Sequence, residues 1–242
     1  MLNIRFPGQS FQPQPPYPYN SKTTCTMVTN LSDTHSLLRV WMREIRDSEM
    51  QLDRARFRRN MERIGEIAAY ELSKTLRFDE VTVQTPMGEA LCDSLPQQPV
   101  IATILRAGIP LHQGLMNYFD HADAAFIAAY RKHNRDGSFE IEQQYLTSPD
   151  LDGRILIIAD PMLATGASLS LAIEGMQENG KPEQIHIVTA IACTEGIDYI
   201  LRRHPEVYIW TGDIDEELTA RGYIVPGLGD AGDLSYGSKR QN

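Results

Sequence analysis

From residue 37 onward, apolar positions recur at the spacing of an amphipathic helix. Leu38, Trp41 and Ile45 share one helical face. The next apolar residues follow at intervals of three and four and are Phe57, Met61, Ile64, Ala68 and Leu72. Between the two sets, Ser48 precedes Gln51 by three residues, a spacing that resembles a capping box at a helix N-terminus. The pattern therefore predicts two opening helices.

After the turn signal Pro86-Met87-Gly88, short apolar runs alternate with helical stretches. The runs are 100–105, 124–130, 154–159, 185–192 and 207–210. Unbroken apolar runs of this length are typical of strands buried on both faces, and their alternation with helices indicates a parallel sheet. Asp136-Gly137, amid residues 131–145, is a hairpin signal. We predict an α/β fold with a central, mostly parallel sheet flanked by helices and a projecting β-hairpin arm.

The first 26 residues differ in composition from the rest. They contain five of the chain's 14 prolines, several glutamines and no acidic side chain. Such a segment buries too little apolar surface to offset the entropy lost on ordering. We therefore expect residues 1–26 to form a disordered or loosely docked arm and residues 27–242 to form the domain.

Charge and composition exclude several classes of protein. The 32 acidic and 23 basic side chains leave a net charge of −9, which argues against nucleic-acid binding. No apolar run reaches the roughly 18 residues of a membrane helix. The three cysteines lie far apart without a CxxC pair, so a reducing cytoplasm fits better than a disulfide framework.

Two sets of titratable residues lack metal-site spacing. The six histidines form no HxxxH or HExxH pattern, so surface or loop positions are expected for them. The acidic stretch 213–217 lacks the glycine and terminal glutamate of an EF-hand, which favours a solvated acidic turn.

One loop has the composition of a phosphate site. The run 155–159 is followed by one acid and a loop of small and hydroxyl residues that opens a helical stretch over 169–177. Free N–H groups and the positive end of a helix dipole suit an anion, although a simple N-cap is an equal alternative from this stretch alone. The candidate residues are Asp160, Pro161, Met162, Leu163, Ala164, Thr165, Gly166, Ala167 and Ser168. The nucleoside triphosphate pattern GxxxxGK[ST] is absent from the chain.

Two further loops carry candidate binding residues. Arg106 follows the run 100–105 beside small residues, where its planar fork suits a diphosphate, although a solvated arginine would also fit. Residues 222–233 are rich in glycine and formally contain GxGxxG, but no βαβ unit can follow them. Such a loop suits close main-chain contact with a planar ligand.

These loops resemble those of type I phosphoribosyltransferases, and most specifically the uracil phosphoribosyltransferase family. Residues 155–168 are similar to the family's phosphoribosyl diphosphate (PRPP) motif, with one acid where other members of the superfamily have two. Ala167 stands where the family commonly has a second glycine. Leu105-Arg106-Ala107-Gly108 resembles the Leu-Arg-Ala-Gly motif, and 223–233 resembles the uracil-binding signature. The similarity covers about residues 28–237 and implies the type I phosphoribosyltransferase fold with a C-terminal base-binding loop region.

The resemblance implies a role for each candidate. The loop 161–168 would hold the 5′-phosphate of PRPP, and Asp160 would meet the ribose hydroxyls. Arg106 and Arg131 would contact PRPP, and Asp230 would lie by its ribose or metal and beside the base. Main-chain atoms of Ile224, Gly229 and Ala231 would bind uracil. As catalytic residues the family pattern implies Arg106, Asp160 and Asp230.

The implied activity is conversion of uracil and PRPP to UMP and diphosphate, with Mg²⁺ held mainly by PRPP and water and not by a protein cage. The expected partners are the two substrates, a second copy of the chain in a homodimer or larger homo-oligomer, and a nucleotide effector, with neither nucleic acid nor membrane. Two alternatives stay open, a non-catalytic uracil or UMP sensor and a phosphoribosyltransferase for another base.

Overall fold

The computed structural model describes residues 26–133 and 139–239, with side chains described outside 129–144. Most of the proposed arm 1–26 and the Asp136-Gly137 turn lie outside the described residues. The helices are α1 (Leu37–Arg46), α2 (Arg54–Ser73), α3 (Ile109–Met116), α4 (Ala167–Gln177), α5 (Thr194–Arg203) and α6 (Ala231–Tyr236), with 3₁₀ turns at Leu31–Asp33 and Met50–Leu52. None of these helices is both long and apolar enough to cross a bilayer.

The strands form one large sheet and two small ones. They are β1 (Val28–Asn30), β2 (Asp79–Thr85), β3 (Gly88–Ser94), β4 (Val100–Leu105), β5 (Asp123–His133), β6 (Phe139–Thr147), β7 (Ile155–Ala159), β8 (Met162–Leu163), β9 (Gln184–Cys193), β10 (Tyr208–Asp215), β11 (Glu217–Leu218) and β12 (Ile224–Val225). The main sheet has the order β1-β10-β9-β7-β4-β5-β6, and β8 pairs with β9. Only the β5–β6 pairing in this sheet is antiparallel, and it forms the predicted hairpin.

Alternate residues of the central strands feed two separate cores. In β7, Ile155, Ile157 and Ala159 pack on the side of α1, α2 and α3. Leu156 and Ile158 pack on the opposite side with α4 and α5. A strand whose side chains alternate between two apolar layers has no polar face, which explains why these segments are continuous apolar runs. The predicted α/β sheet covered on both faces is confirmed.

Two local predictions were wrong. Helix α2 begins later than the Ser48 and Gln51 spacing indicates, because Asp53 caps it by accepting from the N–H groups of Ala55 and Arg56. The hairpin β2–β3 was missed altogether, because most of its side chains are exposed and its one apolar face is limited to Val81 and Val83 opposite Cys92 and Ala90. Neither difference changes the layers of the fold.

The predicted surface or loop position was also wrong for three of the histidines, which are buried, whereas His35 and His121 are exposed. His186 is 1% exposed and stacks on Tyr208, and its Nδ1 accepts a hydrogen bond from Trp210 Nε1 at 3.2 Å. Burial lowers the pKa of His186 to about 4. His112 and His204 are also buried, and desolvation lowers the pKa of each. Neutral imidazole thus serves as a core side chain.

Acid should destabilise this protein through His186. The unfolded chain takes up a proton near pH 6.5, whereas the folded protein does so only near pH 4, so stability is lost as pH falls between these values. One such group contributes up to about 3 kcal/mol to the pH dependence. In urea unfolding from pH 7 to 4, the free energy of unfolding should depend less on pH in His186→Gln than in the parent. His121→Gln, at an exposed position, should follow the parent. Equal slopes for all three proteins would contradict this assignment.

Candidate active site

Parallel pairing brings the candidate loops to one edge of the sheet. Strands β4, β7, β9 and β10 run in the same direction, so their carboxyl ends lie side by side. Arg106 follows β4, Asp160 follows β7, and the chain after β10 leads to the glycine-rich loop. Ligands in open α/β sheets bind beyond this edge.

The phosphate-loop candidate is anchored to the sheet. The carbonyl of Pro161 accepts from the N–H groups of Ala190 at 3.1 Å and Ile191 at 3.0 Å, and β8 then pairs with β9. Leu163 is fully buried, so its side chain belongs to the core and its main chain alone can meet a ligand. The loop therefore enters α4 from a fixed base.

Helix α4 begins with N–H groups that no side chain caps. Its N-cap is Gly166, with φ +81°, and no side chain forms a capping hydrogen bond there. The N–H of Ala167 is 3.5 Å from Thr165 Oγ1, a long contact. No non-glycine residue in the described chain has positive φ, so Ala167 fits its place without strain. The result is an anion site of main-chain donors at a helix N-terminus.

The Arg106 loop is packed directly on the end of β7. Thr103 Oγ1 donates to the Ala159 carbonyl at 3.2 Å, immediately before Asp160. A Cβ at Gly108 would collide with Thr103 Oγ1 and lie 2.7 Å from the Ala159 oxygen, so a larger residue would displace the loop. Glycine is required here for close approach rather than for an unusual φ.

Arg106 also holds the C-terminal segment. Its Nη2 donates to Asp233 Oδ1 at 2.8 Å and to the Gly237 carbonyl at 2.6 Å. Asp233 in turn donates its N–H to Asp230 Oδ1, which caps α6. Lys239 Nζ lies 3.6 Å from Asp230 Oδ2. The candidate diphosphate residue and the candidate base loop are therefore one connected network.

The glycine-rich loop presents main chain. Ile224 and Ala231 are buried in the core, so only their backbone groups remain for a ligand. Gly229 is exposed and has φ +92°. A Cβ at Gly222 would lie 3.5 Å from Thr165 Cγ2, which places this segment against the phosphate-loop candidate. The three loops thus surround a single region.

The remaining candidates are only partly placed. Arg131 lies in β5 opposite Ile141 of β6, and its side chain is outside the described part of the chain. No group of three or more His, Cys, Asp and Glu side chains among the described residues is arranged to hold a metal.

Sequence reasoning missed one functional element. The stretch 213–217 was predicted as a solvated acidic turn, but Asp215 is 8% exposed and pairs with Arg46 at 2.9 Å. Asp215 Oδ2 also accepts from the N–H of Gly227 in the glycine-rich loop. Alternation of Asp213 and Asp215 on one face of β10 is the signal that could have revealed this.

Comparison with known proteins identifies the family. The sequence model described as uracil phosphoribosyltransferase matches residues 32–238. The chain belongs to this family. A uracil phosphoribosyltransferase of Porphyromonas gingivalis is 50% identical over 214 residues, covering 88% of this chain and 99% of that protein. One of Pyrococcus furiosus is 38% identical over 197 residues, covering 80% and 83%.

A solved structure has the same fold. The AQ2163 protein of Aquifex aeolicus superposes with a TM-score of 0.76 at 31% identity, covering 87% of this chain and 98% of that one.

Arg106→Ala should reduce turnover far more than stability. The side chain is 37% exposed, and a partly exposed ion pair contributes only about 1 kcal/mol or less to folding. Loss of a charge-stabilising donor costs about 100-fold or more in kcat. Steady-state kinetics and thermal unfolding of Arg106→Ala should be compared with those of Arg77→Ala, which removes an exposed ion pair with Asp79. Full activity in folded Arg106→Ala would exclude Arg106 as a charge-stabilising donor in turnover.

Proposed function

We propose that this protein transfers the phosphoribosyl group of PRPP to uracil, giving UMP and diphosphate. The observation that carries the proposal is the convergence of three different binding surfaces at one sheet edge. They are the α4 N-terminus, the Arg106 loop and the main chain of 224–231. Each suits one part of the substrate pair, namely the 5′-phosphate, the diphosphate and the base.

Binding follows from the chemistry of each surface. The uncapped N–H groups at residues 166–168 bind the 5′-phosphate, and Asp160 accepts hydrogen bonds from the ribose hydroxyls. The main chain at Ile224, Gly229 and Ala231 pairs with the alternating carbonyl and N–H groups of uracil. Arg131 and Asp230 complete the PRPP contacts.

Catalysis of this reaction requires positioning of the two substrates and stabilisation of the charge on the leaving diphosphate. The bond from C1′ to the diphosphate oxygen breaks, the bond from C1′ to a base nitrogen forms, and the proton of that nitrogen passes to solvent. Negative charge gathers on the departing diphosphate, where the Arg106 guanidinium can stabilise it. Holding the two substrates in line converts a bimolecular step into an effectively unimolecular one.

Magnesium is the proposed cofactor. The site suits the ion, because Mg²⁺ prefers oxygen ligands and would be held mainly by PRPP oxygens and water, with the Asp230 carboxylate available as a protein ligand. When bound, the ion neutralises diphosphate charge. Asp230 is positioned for this by its hydrogen bond from the Asp233 N–H at 3.0 Å.

The subsites should respond differently to substitution. Ala167→Asp places a negative charge at the phosphate site and should weaken PRPP binding about 100-fold or more, whereas the similarly sized Ala167→Asn should weaken it much less. Gly229→Ala should raise the uracil KM while PRPP binding changes little. Calorimetry with PRPP and UMP, and an assay with PRPP, Mg²⁺ and a panel of bases, measure these effects.

Two results would contradict the proposal. Equal PRPP affinity in Ala167→Asp and Ala167→Asn would show that this loop does not bind the phosphate. Preference for a purine over uracil in the base panel would exclude the proposed substrate. The same assay with added nucleoside triphosphates tests for the expected nucleotide effector.

The proposed setting is the cytoplasm, with a second copy of the chain as partner. Cys92 and Cys193 are free thiols, as suits a reducing compartment.

The β2–β3 hairpin is a two-stranded sheet of its own, with Met87 97% and Leu91 71% exposed. An isolated hairpin is marginally stable in water, so contact with another subunit would explain its persistence.

Leu91→Glu should therefore weaken self-association. A charge buried in a subunit contact is costly, so the dissociation constant should rise about tenfold or more. Sedimentation velocity over a range of concentrations measures this, with Leu37→Glu at an exposed position of α1 as the matched control. A monomeric parent protein, or unchanged association of Leu91→Glu, would contradict the hairpin contact.

A further inference from the structure

The residues that fix the glycine-rich loop form a brace between α1 and β10. Arg46 is the last residue of α1, and its Nη2 donates to Asp213 Oδ2 and to Asp215 Oδ1, each at 2.9 Å. Its Nη1 donates to Asp215 Oδ2 at 2.9 Å. One guanidinium thus holds both carboxylates on one face of β10, in the bidentate geometry that only arginine provides.

The brace binds the main chain of one residue of the loop, Gly227. Arg46 Nη1 donates to the Gly227 carbonyl at 3.2 Å, and the Gly227 N–H donates to Asp215 Oδ2 at 2.8 Å. Both main-chain polar groups of Gly227 are therefore held by the same ion pair. With its amide nitrogen turned toward the carbonyls, Gln51 adds donations to Leu228 at 2.9 Å and Ile45 at 3.0 Å.

Burial makes these contacts strong constraints. The side chains of Arg46 and Asp215 are 19% and 8% exposed. Burial by itself would lower the pKa of Arg46, but the hydrogen bonds and charges of Asp215 and Asp213 outweigh it and raise that pKa. Removing one partner would leave the other charge buried and unpaired, which is costly.

The braced residue lies between the residues proposed to meet the base. Gly227 has φ +61°, and a Cβ there would collide with the Ile224 carbonyl, so the loop turns tightly at this point. Ile224 precedes the turn and Gly229 follows it. The PRPP loop, in contrast, is anchored to β9 through the Pro161 carbonyl.

We propose that Arg46 and Asp215 are positioning residues that set the main chain of the glycine-rich loop for base recognition. They act through Gly227 and touch no substrate. The inference rests on the proposed function. It holds that the brace affects binding of uracil and not binding of PRPP. Loosening it should misplace the donors and acceptors for uracil while leaving those for PRPP in place.

A matched pair of substitutions separates positioning from general stability. Asp215→Asn and Glu44→Gln each neutralise a carboxylate that is 8% exposed and paired with an arginine. Glu44 lies on the same helix as Arg46 but pairs with Arg56 and Asn60, away from the loop. Asp215→Asn should raise the uracil KM about tenfold or more and leave the PRPP KM within about twofold, whereas Glu44→Gln should move neither beyond that.

Arg46→Lys provides a second variant that retains the charge. One ammonium cannot reach both carboxylates and the Gly227 carbonyl with the geometry of the fork, so its uracil KM should lie between those of the parent and Asp215→Asn. Thermal unfolding of every variant establishes that it is folded. Equal increases in both KM values, or an unchanged uracil KM in folded Asp215→Asn and Arg46→Lys, would overturn the proposal.

Amide hydrogen exchange provides a readout that needs no catalysis. Loop 224–231 should lose protection in Asp215→Asn and retain it in Glu44→Gln. Failure of the parent protein to use uracil would contradict the proposed function alone, since loop protection still decides whether the brace holds this segment. Unchanged protection in Asp215→Asn would overturn the brace whatever the substrate.

Discussion

Parallel pairing of the central strands is the constraint on which the site depends. Strands β10, β9, β7 and β4 pair side by side in one direction, so every loop that follows them emerges at the same edge. The strands hold this arrangement because each places alternate side chains into a separate apolar layer. Residues 50 or more positions apart in the sequence therefore meet at this edge, where contacts such as that of Arg106 with Asp233 connect their loops.

Small residues set how closely those loops approach. Gly108 lets the Arg106 loop rest on the end of β7, and Gly166 lets the phosphate-loop candidate turn into α4 beside α5. The polar groups then connect what the backbone has brought together. Arg106 reaches the C-terminal segment, while Arg46 reaches the glycine-rich loop from the other side. Backbone proximity and long arginine side chains together make the separate loops one site.

The sequence predicts those parts of the molecule whose physical cause is local. Runs such as 100–105 mark buried strands because both faces are apolar, and loop motifs such as 160–168 keep their residues adjacent. The β2–β3 hairpin was missed because most of its side chains are exposed and its apolar face consists of only a few short side chains. Burial of His186 and of Asp215 depends on partners distant in sequence, Trp210 and Arg46 respectively. Residue type does not reveal either partner, and the alternation of Asp213 with Asp215 is the one local signal for the second.

The pairing of Arg106 with Asp233 has a consequence for affinity. The guanidinium is paired with Asp233 at 2.8 Å and also donates to the Gly237 carbonyl. Under the role proposed for Arg106, a diphosphate would therefore exchange one anionic partner for another instead of meeting a bare cation. The net free energy of binding is the difference between the Arg106 contact with diphosphate and its contact with Asp233. The product anion can therefore leave as readily as the carboxylate returns. Such an exchange favours turnover over retention.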